Sequence, residues 1–232
     1  MQCVCFYNEG LTPPQRYNGT MTTEVVSCVK KSRGRPKVFD REVALDKAMT
    51  LFWQHGYEAT SLADLVEATG AKAPTLYAEF VNKEGLFRAV LDRYISRFAD
   101  KHEAQLFCEE KSVDAALRDY FSAVATCFTS KDTPAGCFMI NTSATLAASS
   151  KEIAHTIKSR HAMQEKTLCE FLTQRQARGE IPADKCIGEL AQFLNCILQG
   201  MSISAREGAS LETLLQITDT TMRLWPQMLK SS

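Results

Sequence analysis

Residues 60–87, TSLADLVEATGAKAPTLYAEFVNKEGLF, constrain the chain more than any other stretch. By spacing they form a helix, a tight turn, a second short helix and the start of a third. Ser61 precedes Asp64 by three positions, a capping pattern that opens a helix. Leu62, Leu65 and Val66 then fall on one helical face. Gly70 sits where that helix must end and the chain reverse, because glycine takes a left-handed turn without steric cost. Pro74 is tolerable only in the first turn of the second helix. A helix-turn-helix of this build offers its second helix to the DNA major groove.

Groove-facing side chains on so short a helix are few. Lys72, Ala73, Pro74, Thr75 and Tyr77 are the candidates, with Leu76 and Phe80 turned to the core. Lys72 can donate to guanine or phosphate, and Thr75 can touch a thymine methyl or a phosphate. Lys83, opening the next helix, and Thr60 or Ser61, opening the first, are placed to share phosphates with nearby backbone amides. For Thr60 and Ser61, capping alone is the competing role.

The segment Gly70 to Phe87, preceded by Ala48, Leu51, Phe52, Gly56, Tyr57, Ala59 and Thr60, resembles the DNA-reading part of the TetR family of bacterial transcriptional regulators. The close resemblance covers residues 36–90, and the spacing of Thr75-Leu76-Tyr77, Phe80 and Lys83-Glu84 is its specific part. It implies a backbone contact through the Tyr77 hydroxyl. It also implies a homodimer on a palindromic double-stranded operator, formed through the last two helices, and a small-molecule effector that releases the repressor. The chain departs from common family residues at Pro74, Ala78 and Glu79. Glu79 would repel phosphate, so it is expected to face away.

The formal net charge is +0, so no global polycation attracts nucleic acid. The basic residues are instead local: Lys30, Lys31, Arg33, Arg35, Lys37 and Arg41 crowd one segment. A local patch suffices, since salt screens charges beyond about 8–10 Å. Arg33-Gly34-Arg35-Pro36 is a slim arm that suits a narrow minor groove, with Arg33 and Arg35 as the inserting side chains. A non-specific phosphate contact is the alternative.

Helical periodicity continues to the end of the chain, without strand alternation or repeats. Helices are expected over 39–56, 61–69, 72–79, from 82, and over 112–130, 136–148, 151–178, 186–206 and 210–229. His55 completes the stripe of the first, and Asp184 caps the eighth. The fold class is all-α: a disordered basic extension over 1–35, a three-helix DNA-binding domain over 36–81, and a helical-bundle regulatory and dimerisation domain over 82–232. Leu190, Phe193, Leu194, Ile197 and Met201 form one apolar stripe, and Leu214, Ile217, Thr218, Met222 and Trp225 another. Each stripe suits a dimer interface or an internal core, because periodicity does not separate them. Phe121, Phe128, Phe138 and Met139 are candidate walls of an effector pocket.

No apolar run spans a membrane, and no basic-then-apolar leader opens the chain. Nine cysteines, an odd number in a chain too large to need staples, read as reduced thiols, hence a cytoplasmic protein. Cys108, Cys127, Cys137, Cys169, Cys186 and Cys196 lie in the regulatory half, where a thiol switch or a copper(I) site would need low-pKa or clustered thiols. No metal-ligand motif is present, and neither a metal nor a cofactor is expected. An enzyme built on Cys137 and His155 and a non-specific DNA-coating protein are the readings outside specific regulation. No phosphate-cradling loop, H-E-x-x-H or nucleophile elbow supports catalysis, and no catalytic residue is assigned.

Overall fold

The computed structural model describes residues 39–143 and 151–230. The expected disorder of 1–35, the arm with Arg33 and Arg35, and the end of the 136–148 helix lie outside them. The described residues hold ten α-helices and no β-strand: α1 (Arg41–Ala59), α2 (Leu62–Thr69), α3 (Ala73–Phe80), α4 (Lys83–Tyr94), α5 (Asp100–Leu106), α6 (Val113–Phe128), α7 (Phe138–Ser143), α8 (Lys151–Ala177), α9 (Ile187–Arg206) and α10 (Leu211–Met228). A π-helical turn, Ile95–Ala99, joins α4 to α5 without a break in the helical path. Such turns interrupt the regular backbone ladder and often mark functional sites.

Local chemistry explains the helix starts. Asp40 accepts from the Glu42 and Val43 amides and starts α1. Ser61 and Asp64 form the reciprocal capping box of α2, at 3.1 and 2.7 Å. Gly70 closes α2 at φ 68°, in the left-handed region, and its amide donates to the Val66 carbonyl. Asn82 accepts from the Gly85 amide at 2.8 Å and starts α4. The start of α9 differs from expectation. Cys186 occupies its N-cap without a side-chain bond, and Asp184 lies two positions before the capping place.

The helices enclose one apolar core running from Leu45 and Phe52 in α1 to Trp225 in α10. In α1 the buried stripe is Ala44, Leu45, Ala48, Met49, Phe52 and Trp53; His55 is exposed, and Trp53 takes the inward place assigned to it. α1 packs on α4, α8 on α9, and α10 lies along α6. Trp53 makes edge contacts with Tyr94, Phe98 and Phe138, with ring centroids 5.2, 5.8 and 6.0 Å away. Phe87 meets Phe52 and Tyr57 in the same way, and Phe138 at a tilt. Through α1 the reader is thus joined to the larger bundle by edge and tilted ring contacts, not by a free linker.

The turn from α3 to α4 has little tolerance. A Cβ built on Gly85 would stand 2.0 Å from the Phe80 carbonyl oxygen. Gly85→Ala is therefore expected to destabilise the fold by about 1–3 kcal/mol, the usual cost of forcing extra volume into a packed site. Thermal denaturation followed by circular dichroism checks this; an unchanged midpoint would show that the turn can yield.

Candidate nucleic-acid interface and effector cavity

In the helix-turn-helix, α2 carries the turn and α3 is the short second helix. Its inward side is Leu76 and Phe80, 3% and 5% exposed. Lys72 occupies the N-cap of α3, and Pro74 lies in its first turn. Lys72, Pro74 and Tyr77 are exposed, and Ala73 and Thr75 half-buried, so one side of α3 presents these five positions together. Ser61 is exposed while serving as the α2 cap.

Thr60 does not join them. It is 1% exposed, and its hydroxyl donates to the Gly56 carbonyl at 2.8 Å. The expected Thr60 phosphate contact is corrected accordingly: the side chain closes α1 from inside. Sequence spacing put it beside Ser61 but could not show that Thr60, the C-cap of α1, packs inward while Glu58 and Ala59 before it stay exposed.

Charges around the reader are largely committed within the protein. Glu79 accepts from Arg41 at 2.7 Å, and the Arg41 guanidinium lies 5.4 Å above the Phe80 ring. This pair neutralises the carboxylate that would oppose phosphate. The Lys83 ammonium sits 4.3 Å over the Tyr57 ring and 3.5 Å from the Glu58 carbonyl. Burial lowers the Lys83 pKa, against the opposing pull of Glu58 and Asp64. Lys83 would have to swing off that ring to reach a phosphate.

A second network ties α1 to α4 and the π turn. Asp46 accepts two bonds from Arg93, at 2.7 and 2.9 Å, and one from Arg97 at 2.9 Å. Arg93 also pairs with Glu42.

Behind α4 lies a cavity of about 30 Å³, room for about one water molecule. Its walls come from six elements: Tyr94, Phe98, Ala99, His102 and Glu103 along α4, the π turn and α5; Tyr120, Val124, Cys127 and Phe128 of α6; Cys137 and Met139 at α7; and Gln164 of α8. Phe128 and Met139 are on this wall as expected candidates. Phe121 and Phe138 are not. They belong to the packed core beside it, Phe138 against Phe87, Trp53 and Tyr94 and Phe121 against Tyr120.

The Tyr94 hydroxyl and Cys137 Sγ lie 3.3 Å apart. Burial drives the Tyr94 pKa well up, with Cys137 adding to it, and burial raises the Cys137 thiol. Burial and the neighbouring Cys137 push Cys127 to about 11. Burial pulls the His102 imidazole down, and its Nδ1 is buried without a hydrogen-bond partner. Tyr94, His102, Cys127 and Cys137 converge from distant parts of the sequence, so no motif announces them.

The expected dimer stripes are also corrected. Leu190, Leu194, Met201, Leu214, Thr218, Met222 and Trp225 are all at most 8% exposed within a single chain. They are internal core, turned toward α6 and α8. Phe193, Ile197 and Ile217 remain half-buried. The apolar residues left on the outer faces of α9 and α10 include Ile203 and Leu224, each 50% exposed. Both faces of these helices carry apolar residues, and periodicity selected the deeper one.

This arrangement, a short helix-turn-helix packed on an all-helical bundle, is the build of a helix-turn-helix DNA reader. Residues 44–90 match the family described as bacterial regulatory proteins, tetR family, and residues 114–214 match the tetracyclin repressor-like C-terminal domain. The chain is 77% identical over 210 residues to the HTH-type transcriptional repressor ComR of Escherichia coli (strain K12), covering 90% of this chain and all of that protein. It is 30% identical over 187 residues to the repressor BdcR of the same organism, covering 80% of this chain and 89% of that one. A cysteine mutant of the TetR-family regulator CifR, solved with 26-bp operator DNA, superposes with a TM-score of 0.78 at 32% identity, covering 83% of this chain and 100% of that one. The chain belongs to the TetR family of DNA-binding transcriptional regulators. Among the described residues, no helix is long and apolar enough to cross a membrane.

Asp46 supplies a test of the weld between reader and bundle. Hydrogen bonds from Arg93, opposed by burial and reinforced by the charges of Arg93 and Arg97, hold its carboxyl below the usual carboxylate range. A carboxyl held low stabilises the fold above its unfolded pKa, and that contribution is lost as pH falls through the folded value. Asp46→Asn is expected to lower the melting temperature modestly at neutral pH, since the group is partly exposed. The gap to the wild type should close as pH drops below about 4. A gap independent of pH would mean that packing, not charge, is what the substitution removes.

Proposed function

We propose that this protein is a homodimeric, cytoplasmic repressor that binds a palindromic operator and is released by an effector. Residues 36–81 act as the reader, and 82–232 as the sensing and dimerising part. The 77% identity, over 90% of this chain, to a protein named a transcriptional repressor is the observation that carries the reading. Lys72, Ala73, Pro74, Thr75 and Tyr77 face the groove, with Ser61 and Lys83 on flanking phosphates. Two short helices gain affinity by binding two half-sites related by a two-fold axis. The dimer face is the outer side of α9 and α10, around Phe193, Ile197, Ile203 and Leu224, where exposed apolar groups favour association.

Release follows from the packing between cavity and reader. Tyr94 and Met139 line the cavity, while Phe138, between Cys137 and Met139 in sequence, packs on Trp53 and Phe87. An occupant that fits better when α4 shifts would move the reader with it, by the difference in its affinity for the two states. Catalysis by Cys137 and His155 is disfavoured: the thiol is buried with a raised pKa, and His155 is exposed on α8.

Fragments selected from genomic DNA at physiological salt test the reading, with a palindrome expected and equal affinity for random sequence counting against it. Tyr77→Phe should weaken binding to all sequences, and Lys72→Ala should relax one base position, by about 1–3 kcal/mol where it reads guanine. Unchanged affinity in both variants would remove α3 from the interface.

One observation favours a soft-metal effector such as copper(I). Cys127, Cys137, Met139 and His102, four donors of the soft or imidazole type, line the same cavity. Among the described residues, no three ligating groups of the His, Cys, Asp or Glu kind converge closely enough to enclose a metal ion. The site would therefore rest on the two thiolates, or on movement of α6 against α7. Thiol protons would leave on binding, so affinity would rise with pH. Copper(I) added to the protein–operator complex under reducing conditions should then free the DNA for wild type but not for Cys127→Ser or Cys137→Ser. Equal release from all three would assign the effect elsewhere.

A further inference from the structure

Val81, between α3 and α4, has φ 67° and ψ −52°. The Asn82 amide donates to the Phe80 carbonyl at 2.7 Å across it, closing a γ-turn of the strained hand. Val81 is the sole positive-φ residue other than glycine among the described residues. A β-branched side chain there is unfavourable, and because ψ is negative the position lies outside the left-handed helical region that asparagine tolerates, so glycine is the residue that would relieve it. The fold takes little in return, for Val81 is 76% exposed and lies outside the core.

Its surroundings place it on the reading side. Val81 stands one helical turn beyond Tyr77, itself 47% exposed, and its amide donates to the Tyr77 carbonyl at 2.9 Å. The turn is held from both ends. The Asn82 side chain caps α4, and the Phe80 carbonyl lies so close over Gly85 that no side chain fits there. An apolar group is therefore displayed at fixed height at the end of α3, on a surface whose neighbours Lys72, Pro74 and Tyr77 face outward.

Resting on the assignment of α3 to the DNA, we propose that Val81 is a DNA-contact residue, packing its isopropyl group against the deoxyribose wall at the groove edge. The chemistry fits an apolar side chain lying past the base-reading positions, where sugar carbons alternate with phosphates. The contact neutralises no phosphate and reads no base. It adds affinity independent of sequence and fixes how deeply α3 sits.

The test uses the full-length protein, its selected operator, and three variants. Val81→Gly keeps the positive φ without strain and removes the apolar group. It should melt no lower than wild type yet bind operator about tenfold more weakly, the weight of one buried aliphatic side chain. The slope of log affinity against log salt should not change, because no phosphate partner is lost. Val81→Ile should retain wild-type affinity. Wild-type affinity in Val81→Gly, an equal loss in Val81→Ile, or a slope reduced by about one would each overturn the proposal. Tyr77→Phe serves as the reference. If it weakens binding while Val81→Gly does not, only the Val81 contact fails; if neither does, the assignment of α3 to the groove fails with it.

Discussion

The rings around Trp53 and Phe138 hold the structure together in a way no other group does. Trp53 comes from α1, Phe87 and Tyr94 from α4, Phe98 from the π turn and Phe138 from α7. Their edge and tilted contacts, with centroids 5.2–6.0 Å apart, join the helix that carries the reader to the elements that line the cavity. Aromatic side chains suit this because they bury large areas with few rotatable bonds, so the joint is stiff. Without it, α1 to α3 would have only a small core of their own around Leu65, Leu76 and Phe80.

Polar chemistry reinforces the same joint from outside. Asp46 on α1 is shared between Arg93 at the end of α4 and Arg97 in the π turn. The π turn thus faces two ways: Phe98 and Ala99 toward the cavity and Arg97 toward α1. A helix carrying an irregular turn at such a point can change its local register more cheaply than a regular one. That is a physical route by which the proposed occupant of a very small cavity would reach a DNA-reading helix at the other end of α4.

On the reading side, the surface owes its character to charges cancelled as much as to charges displayed. Glu79 is paired with Arg41, and Lys83 is folded over Tyr57. What stays outward is the polar and apolar set of Lys72, Pro74, Tyr77 and Val81. A chain of zero net charge can read DNA in this way only by local arrangement, with fit contributing beside electrostatic attraction.

The helix-turn-helix was legible from the sequence because its signals are local: the Ser61–Asp64 box, the Gly70 cap, Pro74 in a first turn and Asn82 as a cap act within a few residues of themselves. The same holds for the all-helical class, since periodicity is a property of each segment alone. Apart from the Asp184 cap and the place of His55 on α1, expectations failed where burial had to be decided between segments. Thr60 and Ser61 are neighbours in sequence, yet one is buried and the other exposed. α9 and α10 each carry apolar residues on two faces, and only packing against α6 and α8 shows that Leu190 and Trp225 lie inside while Ile203 and Leu224 face out. The cavity gathers Tyr94, His102, Cys127 and Cys137 over more than forty positions, and the strained Val81 is invisible to composition altogether. The sequence by itself determined the local elements and the DNA-reading motif, because short-range hydrogen bonds and helical spacing specify them. Tertiary structure decided which apolar face is core and which groups meet, because burial is a relation between segments and no single segment encodes it.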